Sequence, residues 1–329
     1  MCAITTCASH PASHADGRER CIGRKTQRRR GSMSNKPAIG FIGLGLMGSA
    51  MVERLQSLGY PMTVIANRSR KGVDEAVARG ATEVQRTADV AAASDIVMLC
   101  MDTSASVEAR MLGPDGVIAG LKPGSIVIDF GTSLPGSTKA LAEQVEAAGS
   151  RYMDAPLGRT PSHAKEGKLN IMAAGTADDF ARVEPVLKDL GENVFHVGPL
   201  GAGHTLKLIN NFFAMTTACA MSEAFAMADC AGIPRDKLYD VMSAGPLRSG
   251  MMDFVKGYAI DGDPNLLAFS VANATKDVGY YSAMADGLGV PSLMSVSAKQ
   301  TLGVAKANGH GDRMVPQMVD FFAELFGNR

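Results

Sequence analysis

Two polar residues set four apart in an apolar segment, Lys207 and Asn211, are the first candidates for chemistry in this 329-residue chain. Residues four apart share one face of a helix, whereas Asn210 points about 100° away and can join only from the edge of that face. A lysine among apolar residues must face a cavity or water, where its ammonium can protonate an oxygen and stabilise negative charge. We predict Lys207 as general acid and base, oriented by Asn211; a surface lysine is the alternative.

A second pattern, GLGLMG at residues 43–48, follows a short apolar segment and opens a predicted helix. In this context G-x-G-x-x-G is typical of dinucleotide-binding proteins. Gly43 would make the tight turn, Gly45 would admit the pyrophosphate, and Gly48 would let the helix pack on the strand. The helix N-terminus would offer N–H groups to the phosphates, and a glycine turn without a ligand is the alternative.

The end of the next apolar segment indicates which coenzyme is preferred. NAD enzymes usually carry an acidic residue about 20 residues after the fingerprint, where it binds the ribose hydroxyls. Asn67 stands at that place here, and Arg68 and Arg70 follow it. Guanidinium groups bind phosphate oxygens in pairs, so we predict NADP as cofactor. NAD and a merely solvated basic loop are the alternatives.

The two halves of the chain that must position these residues differ in periodicity. Up to about Gly198, short apolar segments alternate with amphipathic ones, as in an α/β fold with a doubly wound parallel sheet. We predict a Rossmann domain over 36–198 and an all-helical domain over 199–329 for substrate binding and oligomerisation. The predicted strands are Ala38–Gly43, Met62–Ala66, Asp95–Met101, Ser125–Asp129, Tyr152–Pro156 and Asn170–Ala174. The predicted helices are Ser49–Leu58, Lys71–Arg79, Ser137–Ala148, Gly203–Ala231, Arg235–Ser243, Ala274–Gly287, Pro291–Asn308 and Met314–Phe326.

Lys207 falls near the start of the predicted helix Gly203–Ala231. The partial positive charge of a helix N-terminus would lower its pKa and help it exchange protons. Charged and amide side chains interrupt this helix too often for a membrane span.

The composition excludes several classes of protein. Lys and Arg together number 33, as do Asp and Glu, so no nucleic-acid partner is indicated, and no apolar run is long enough for a membrane. The six cysteines form no CxxC pair, which fits a reducing, cytoplasmic setting with buried free thiols. His163, His196 and His204 have neither metal-ligand spacing nor a carboxylate partner, so no metal is predicted.

The first 35 residues stand apart, with seven basic residues, two acidic ones and little apolar periodicity. No apolar segment follows the charges, so a secretory signal is not expected, and the acidic residues argue against a transit peptide. We predict a disordered basic tail over 1–35, with Met33 as a candidate for the natural start.

Several further segments resemble β-hydroxyacid dehydrogenases, the family of 3-hydroxyisobutyrate dehydrogenase and of the glyoxylate and succinic semialdehyde reductases. Residues 39–51 resemble the family's opening, 154–160 its substrate loop, 203–211 its catalytic helix, and Lys276-Asp277 its late Lys-Asp pair. The resemblance runs from about Lys36 to the C-terminus. It implies an NAD(P)-dependent oxidoreductase that interconverts a small 3-hydroxy acid and its semialdehyde.

The resemblance also implies which residues form the site. Asp277 would orient Lys276. The expected substrate-binding residues are Thr132, Gly158, Arg159, Thr160 and Asn210. The expected coenzyme contacts beyond the glycines, Asn67 and the arginines are Leu46, Met47, Met101, Thr132 and Lys276.

The substrate loop departs from the usual D-A-P-V-S-G-G, because Gly158, Arg159 and Thr160 replace its last three residues. This version resembles the sulfolactaldehyde reductases, and an extra arginine suits a sulfonate. An arginine paired with a neighbouring acid such as Glu166 is the alternative. Gly131 likewise replaces the first serine of the family's D-x-S-T-x-x-P segment.

The helical half carries much apolar surface, and the resemblance implies a homodimer or homotetramer acting on a small anionic substrate. Two other functions stay open. An imine reductase would share this architecture but generally lacks the helix lysine. A non-catalytic NADP-binding sensor would keep the glycines and lose Lys207 or Asn211.

Overall fold

The apolar segments of the first half form one sheet, as the sequence predicts. The computed structural model describes residues 36–327, and the predicted basic tail lies outside these described residues. The strands are β1 Ile39–Ile42, β2 Met62–Ile65, β3 Thr82–Val84, β4 Ile96–Leu99, β5 Ile126–Asp129, β6 Arg151–Asp154, β7 Leu157–Gly158, β8 Leu169–Ala174 and β9 Gly191–Gly198. Strands β1, β2, β4 and β5 are buried along their whole length, as expected for a sheet covered on both faces.

The strand order is β3-β2-β1-β4-β5-β6-β8-β7, with β9 beside β8. Strands β1 to β6 are parallel neighbours in the doubly wound order, so the predicted α/β class is confirmed. Strand β8 runs antiparallel to β6 and β7, which adds a mixed edge that the sequence did not predict. The chain changes direction between β1 and β4, and ligands bind such sheets at the carboxyl ends there.

Helices cover both faces of this sheet. Phe41 belongs to the apolar core on one face and Leu99 to the core on the other. The helices of this half are α1 Leu46–Ser57, α2 Lys71–Ala78, α3 Thr87–Ala92, α4 Ser104–Met111, α5 Val117–Gly120, α6 Pro135–Ala147, α7 Pro161–Glu166 and α8 Ala177–Leu190.

From residue 199 to 327 the described chain contains helices and no strand, as predicted. They are α9 Ala202–Cys230, α10 Arg235–Ser243, α11 Gly250–Ala259, α12 Val271–Gly287, α13 Leu293–Ala305 and α14 Met318–Leu325, with 3-10 turns at Pro264–Leu267 and Val315–Gln317. A third core surrounds Phe225 of α9. The predicted helix Pro291–Asn308 ends earlier, because a π turn at Lys306–His310 contains Gly309 with φ +90°. The domain boundary at residue 198 stays a prediction.

Within residues 36–327, no helix has both the length and the apolar content needed to cross a membrane.

Candidate active site

The glycine fingerprint has the geometry that a bound dinucleotide requires. Gly43 adopts φ +100°, and a Cβ there would lie 2.3 Å from the Cys100 carbonyl oxygen. A Cβ on Gly48 would lie 2.0 Å from the Gly43 oxygen, so α1 can approach β1 only with glycine at this position. Beyond its chain neighbours, no described atom lies within 4 Å of a Cβ built on Gly45, the residue before α1. Open space therefore adjoins the helix N-terminus, whose N–H groups favour a pyrophosphate.

A cavity of about 200 Å³ opens beside this turn. It is lined by Gly43, Leu44, Gly45, Ile65, Asn67, Arg68, Ser69, Val73, Cys100, Met101 and Asp102. Apart from Val73 of α2, these residues lie at or just after the carboxyl ends of β1, β2 and β4, and they fit the adenosine and pyrophosphate of a nicotinamide dinucleotide. Of the predicted contacts in this region, Met101 lines the cavity. Leu46 and Met47 lie outside the lining, on the first turn of α1.

The arginines after β2 hold different partners. Arg68 lines the cavity, and its guanidinium lies 3.0 Å from the Asp102 carboxylate. Arg70 pairs with Glu83 at 3.0 Å and with Asp74 at 2.9 Å, and it does not line the cavity. Two carboxylates hold the Arg70 guanidinium in this arrangement, and its role as a coenzyme ligand stays a prediction.

A third cation, Arg110 of α4, reaches the same cavity wall. Its guanidinium donates to Asn67 Oδ1 at 2.5 Å, and Asn67 lines the cavity. Sequence reasoning missed Arg110, since it lies 43 residues from Asn67 and nothing in the intervening sequence indicates their contact.

Helix α12 joins the end of β4 beside this cavity. Lys276 Nζ donates to the Asp102 carbonyl oxygen at 2.6 Å, and the backbone N–H of Ser104 donates to the Tyr280 hydroxyl at 3.2 Å. Lys276, expected as a coenzyme contact, thus lies at the cavity edge, where Asp102 forms part of the wall.

Lys207 lies beside a buried carboxylate that organises this end of the site. Asp277, 1% exposed, accepts from Asn211 Nδ2 at 2.6 Å and pairs with Lys276 Nζ at 2.9 Å. Asn210 is exposed and donates to Asn211 Oδ1 at 3.2 Å, at the edge of the group as its position predicts. Lys207 is half-buried and makes no hydrogen bond or ion pair among the described residues.

Burial lowers the pKa of Lys207, the negative charge of Asp277 acts against that shift, and the positive charge of Lys276 adds to it. The sequence attributed the lowered pKa to the helix N-terminus. Lys207 is the sixth residue of α9, beyond the first turn where that effect is felt, so burial is the cause.

Arg159 differs most from its prediction. It has φ +76°, a left-handed conformation that favours glycine. Its guanidinium donates to Glu192 of β9 and to the Lys168 carbonyl oxygen, whereas Glu166 pairs with Lys168 Nζ. Arg159 is thus paired with an acid, as the alternative expected, but not with the acid that the sequence indicated. Its guanidinium is not free to meet a substrate in this state.

The other predicted substrate residues lie in two loops. Thr132 is half-buried between β5 and α6, and Gly158 lies in β7 opposite Asn170. Thr160 Oγ1 lies 2.7 Å from His163 Nδ1. Among the described residues, no hydrogen bond or ion pair joins these side chains to Lys207.

A buried polar cluster beneath α9 escaped the sequence analysis. Asp129 and Asp154, both 0% exposed, are paired neighbours at the ends of β5 and β6. His204, also 0% exposed, lies 3.6 Å from the first carboxylate and 3.9 Å from the second, which corrects the expectation that it lacks a carboxylate partner. A signal was present, because each Asp directly follows an apolar strand whose carboxyl end faces the site.

The described residues contain no group of three or more His, Cys, Asp or Glu side chains that could hold a metal. Cys100 and Cys219 are free, and burial raises the pKa of both thiols to about 12. Cys230 is exposed, contrary to the predicted burial.

Two family models match the chain in sequence. Residues 38–198 match the NAD binding domain of 6-phosphogluconate dehydrogenase. Residues 201–322 match the NAD-binding domain of NADP-dependent 3-hydroxyisobutyrate dehydrogenase.

Known proteins resemble the chain over nearly its whole length. It is 31% identical to the 3-sulfolactaldehyde reductase of Escherichia coli, over 83% of this chain and 92% of that protein. It is 29% identical to the 2-(hydroxymethyl)glutarate dehydrogenase of Eubacterium barkeri, over 90% and 98%. The solved 3-hydroxyisobutyrate dehydrogenase of Salmonella typhimurium superimposes with a TM-score of 0.75 at 27% identity, over 86% and 99%. On this evidence the chain belongs to the β-hydroxyacid dehydrogenase family of NAD(P)-dependent oxidoreductases.

Proposed function

We propose that this chain is an NADP-preferring semialdehyde reductase, and in reverse a 3-hydroxy acid dehydrogenase, with Lys207 as general acid and base. The substrate is a small aldehyde that carries a carboxylate or a sulfonate. The observation that carries the proposal is a half-buried ammonium without a partner among the described residues, next to Asp277. Burying a charge without a partner costs free energy, so such a group is a candidate for chemistry.

The proton chemistry follows from the position of Lys207. The reduced coenzyme, when bound, supplies a hydride to the carbonyl carbon. Negative charge then develops on the substrate oxygen, and Lys207 Nζ donates a proton to it. In the oxidation direction the neutral amine takes the hydroxyl proton. The lowered pKa of Lys207 makes both protonation states accessible closer to neutrality.

Asp277 and Asn211 act on Lys207 without reacting. The Asp277 carboxylate balances the charges of Lys207 and Lys276, and it fixes the Asn211 amide through the 2.6 Å hydrogen bond. The amide is thereby oriented on the helix face that carries Lys207, where it can hydrogen-bond the substrate.

We assign the anionic end of the substrate to Thr132, Thr160 and the backbone N–H groups near Gly158. Arg159 joins them when its guanidinium exchanges Glu192 for the substrate anion. A carboxylate or sulfonate of the substrate offers an anionic oxygen like the one that Glu192 presents to this guanidinium, which makes the exchange feasible.

The preference for NADP rests on Arg68 and Arg110. Arg68 lines the cavity, and Arg110 donates to Asn67, the lining residue that replaces the acidic residue usual in NAD enzymes. A 2′-phosphate there would compete with Asp102 for Arg68 and would be paired bidentately.

We also infer a homodimer or homotetramer formed through the helical half. Leu206, Ile209 and Phe213 share one side of α9 and are exposed, Phe213 by 71%. Apolar surface of this kind marks protein–protein contacts. This inference assumes the predicted division into a Rossmann domain over 36–198 and a helical domain over 199–329, of which the helical domain forms the contacts between subunits.

The proposal is tested with the purified chain, NADPH or NADH, and a panel of aldehydes matched in length that end in a carboxylate, a sulfonate or a methyl group. We expect consumption of reduced coenzyme with the acidic aldehydes, faster with NADPH, and little with the methyl control. Equal rates with all three would contradict an anion-binding site. Coenzyme binding without turnover on any aldehyde would favour the non-catalytic sensor, and turnover on imines alone would favour an imine reductase.

A further inference from the structure

The buried cluster beneath α9 joins two segments that are distant in sequence. Asp129 Oδ1 accepts from the Gly131 N–H and Oδ2 from the Ser133 hydroxyl, each at 2.8 Å. These residues flank Thr132, so the carboxylate fixes the loop that carries it. Two buried side-chain hydrogen bonds on either side of one residue restrict its backbone strongly.

The second carboxylate, that of Asp154, fixes the start of the catalytic helix. Its Oδ1 accepts from the Gly201 N–H at 2.8 Å and its Oδ2 from the His204 N–H at 2.7 Å. A Cβ on Gly203 would lie 2.8 Å from Asp154 Oδ2, so the first turn packs directly on the carboxylate. An anion at this place satisfies N–H groups that have no partner inside the helix.

Asp129 and Asp154 are register partners on parallel strands that lie roughly 5 Å apart, so two buried carboxylates there repel each other when both are ionised. The His204 ring lies within 4 Å of both. Its Nδ1 lies 2.7 Å from Thr138 Oγ1, and this hydroxyl donates to the Leu134 carbonyl oxygen. The hydroxyl therefore accepts from Nδ1–H, and Nε2 faces Asp129.

The other edge of the ring faces Asp129. Nε2 lies 3.6 Å from Asp129 Oδ2 and has no hydrogen-bond partner among residues 36–327. The ring therefore spans the gap between the Asp129 carboxylate and the Thr138 hydroxyl, and it contacts both segments.

We propose that His204 is a positioning residue whose ring, set between Asp129 and Asp154, holds the Thr132 loop in register with the helix that carries Lys207. His204 and Lys207 are three residues apart in α9, so they are neighbours on the surface of the helix. The proposal rests on the proposed function for its effect on turnover, but the coupling of the two segments does not depend on it.

The energetics of Asp154 support this role. Burial raises the pKa of Asp154, and His204 together with the N–H groups of Gly201 and His204 acts against that shift. The other titratable groups facing the cluster are Asp129, Tyr152 and Cys100, which are anionic when ionised and do not supply a positive charge. Without the ring, Asp154 would take up a proton at higher pH and bind the first turn of α9 less well.

The test compares His204→Gln with His196→Gln, the same change at an exposed histidine that stacks on Phe180. The glutamine at 204 keeps a hydrogen-bond donor but removes the imidazole ring. We expect kcat to fall by about tenfold to a hundredfold with coenzyme Kd within twofold, because small displacements of reacting groups cost that much. We also expect the acidic limb of the pH profile to move to higher pH. The 196 variant should show neither change.

A second readout needs no substrate. Amide hydrogen exchange in His204→Gln should become faster both at residues 130–134 and at residues 201–206, and stay unchanged in the 196 variant. Faster exchange in only one segment, or in neither, would overturn the coupling. If the wild type reduces no aldehyde, the proposed function fails while this measurement still decides the role of His204.

A milder variant covers the case of poor folding. Thr138→Val removes the hydroxyl that accepts from Nδ1–H and nearly preserves the side-chain shape. It should reproduce the direction of both effects at smaller size with little loss of Tm. A parallel loss of kcat, coenzyme affinity and Tm in all cluster variants would reduce His204 to a structural residue.

Discussion

The charged groups beside the coenzyme cavity and those around Lys207 differ in how far they are exposed. Beside the cavity, the Arg68 and Asp102 side chains are 79% and 46% exposed, and Arg70 and its partner Asp74 are also at the surface. Around Lys207, Asp277 is 1% exposed and Asn211 7%. Exposed ion pairs contribute about 0–1 kcal/mol each and are screened by salt, whereas breaking a buried pair costs about 3–5 kcal/mol.

Under the proposed function, this difference separates the binding of the coenzyme from the proton transfer at Lys207. Exposed pairs can exchange one partner for another at little cost, which suits a coenzyme that must enter and leave in every cycle. Buried groups cannot exchange, and they keep a fixed field around the reacting atoms. Changes beside the cavity should therefore alter affinity and its salt dependence, and changes around Lys207 should alter kcat and its pH dependence.

The largest effect should come from Lys207→Ala. We expect kcat to fall by about a hundredfold to ten-thousandfold, the range for a lost general acid, with coenzyme Kd almost unchanged. Steady-state kinetics and coenzyme titration measure both. Lys188→Ala, at an exposed lysine paired with Glu184, is the control and should behave as wild type. Lost coenzyme binding in the 207 variant would make that residue structural.

Asp277→Asn should lower kcat by about tenfold to a hundredfold and shift the pH profile. The Asp277 charge raises the pKa of Lys207, so its removal lowers that pKa further. Reduction needs the protonated lysine, and kcat should therefore begin to fall at lower pH than in wild type. Asp286→Asn, at an exposed residue of the same helix, should leave the profile in place. A shift to higher pH would contradict the assigned role of Asp277.

Beside the cavity, Arg68→Gln should raise the Kd of NADPH about tenfold and that of NADH little, because one charged hydrogen-bonding group is lost. In the wild type, the preference for NADPH, measured as the Kd of NADH divided by the Kd of NADPH, should become smaller as salt is added. Arg70→Gln is the matched control, since its guanidinium is held by Glu83. Equal effects of Arg68→Gln on both coenzymes would remove the argument for NADP.

The smallest effect on stability should follow Arg159→Gly. Glycine relieves a left-handed backbone that costs about 1 kcal/mol, while the pair with Glu192 contributes up to about 1 kcal/mol. The free energy of unfolding should therefore change by less than about 1 kcal/mol. KM for a sulfonate aldehyde should nevertheless rise more than KM for the methyl control. No difference between the substrates would place the guanidinium outside the site.

Features that depend on residues close together in the sequence could be predicted. These local features are the fingerprint glycines, the alternation of strands and helices, and the spacing of Lys207 and Asn211 within one helix. They were enough to predict the fold class. Strand β9 was missed because its burial does not alternate or form an apolar run. The early end of α13 depends on a single glycine within a helical pattern.

Features made by contacts across the fold could not be predicted. Arg110 reaches Asn67 across 43 residues, and His204 meets two aspartates that belong to different strands. The ion pairs of Arg70 and Arg159 were missed for the same reason, since Glu83 and Glu192 lie on strands that the sequence did not indicate. The sequence gives the identity of each charged residue, but which residue forms an ion pair with it depends on how the strands are arranged in the sheet.

The ammonium of Lys207 on α9 also affects the stability of the folded protein. Burial lowers its pKa despite the nearby negative charge of Asp277, so the folded state is less stable than the same fold with an apolar side chain there, such as methionine. Under the proposed function, thermal stability and turnover therefore favour different residues at position 207. We expect a laboratory selection for thermal stability alone to replace Lys207 and to yield a protein that is more stable but inactive.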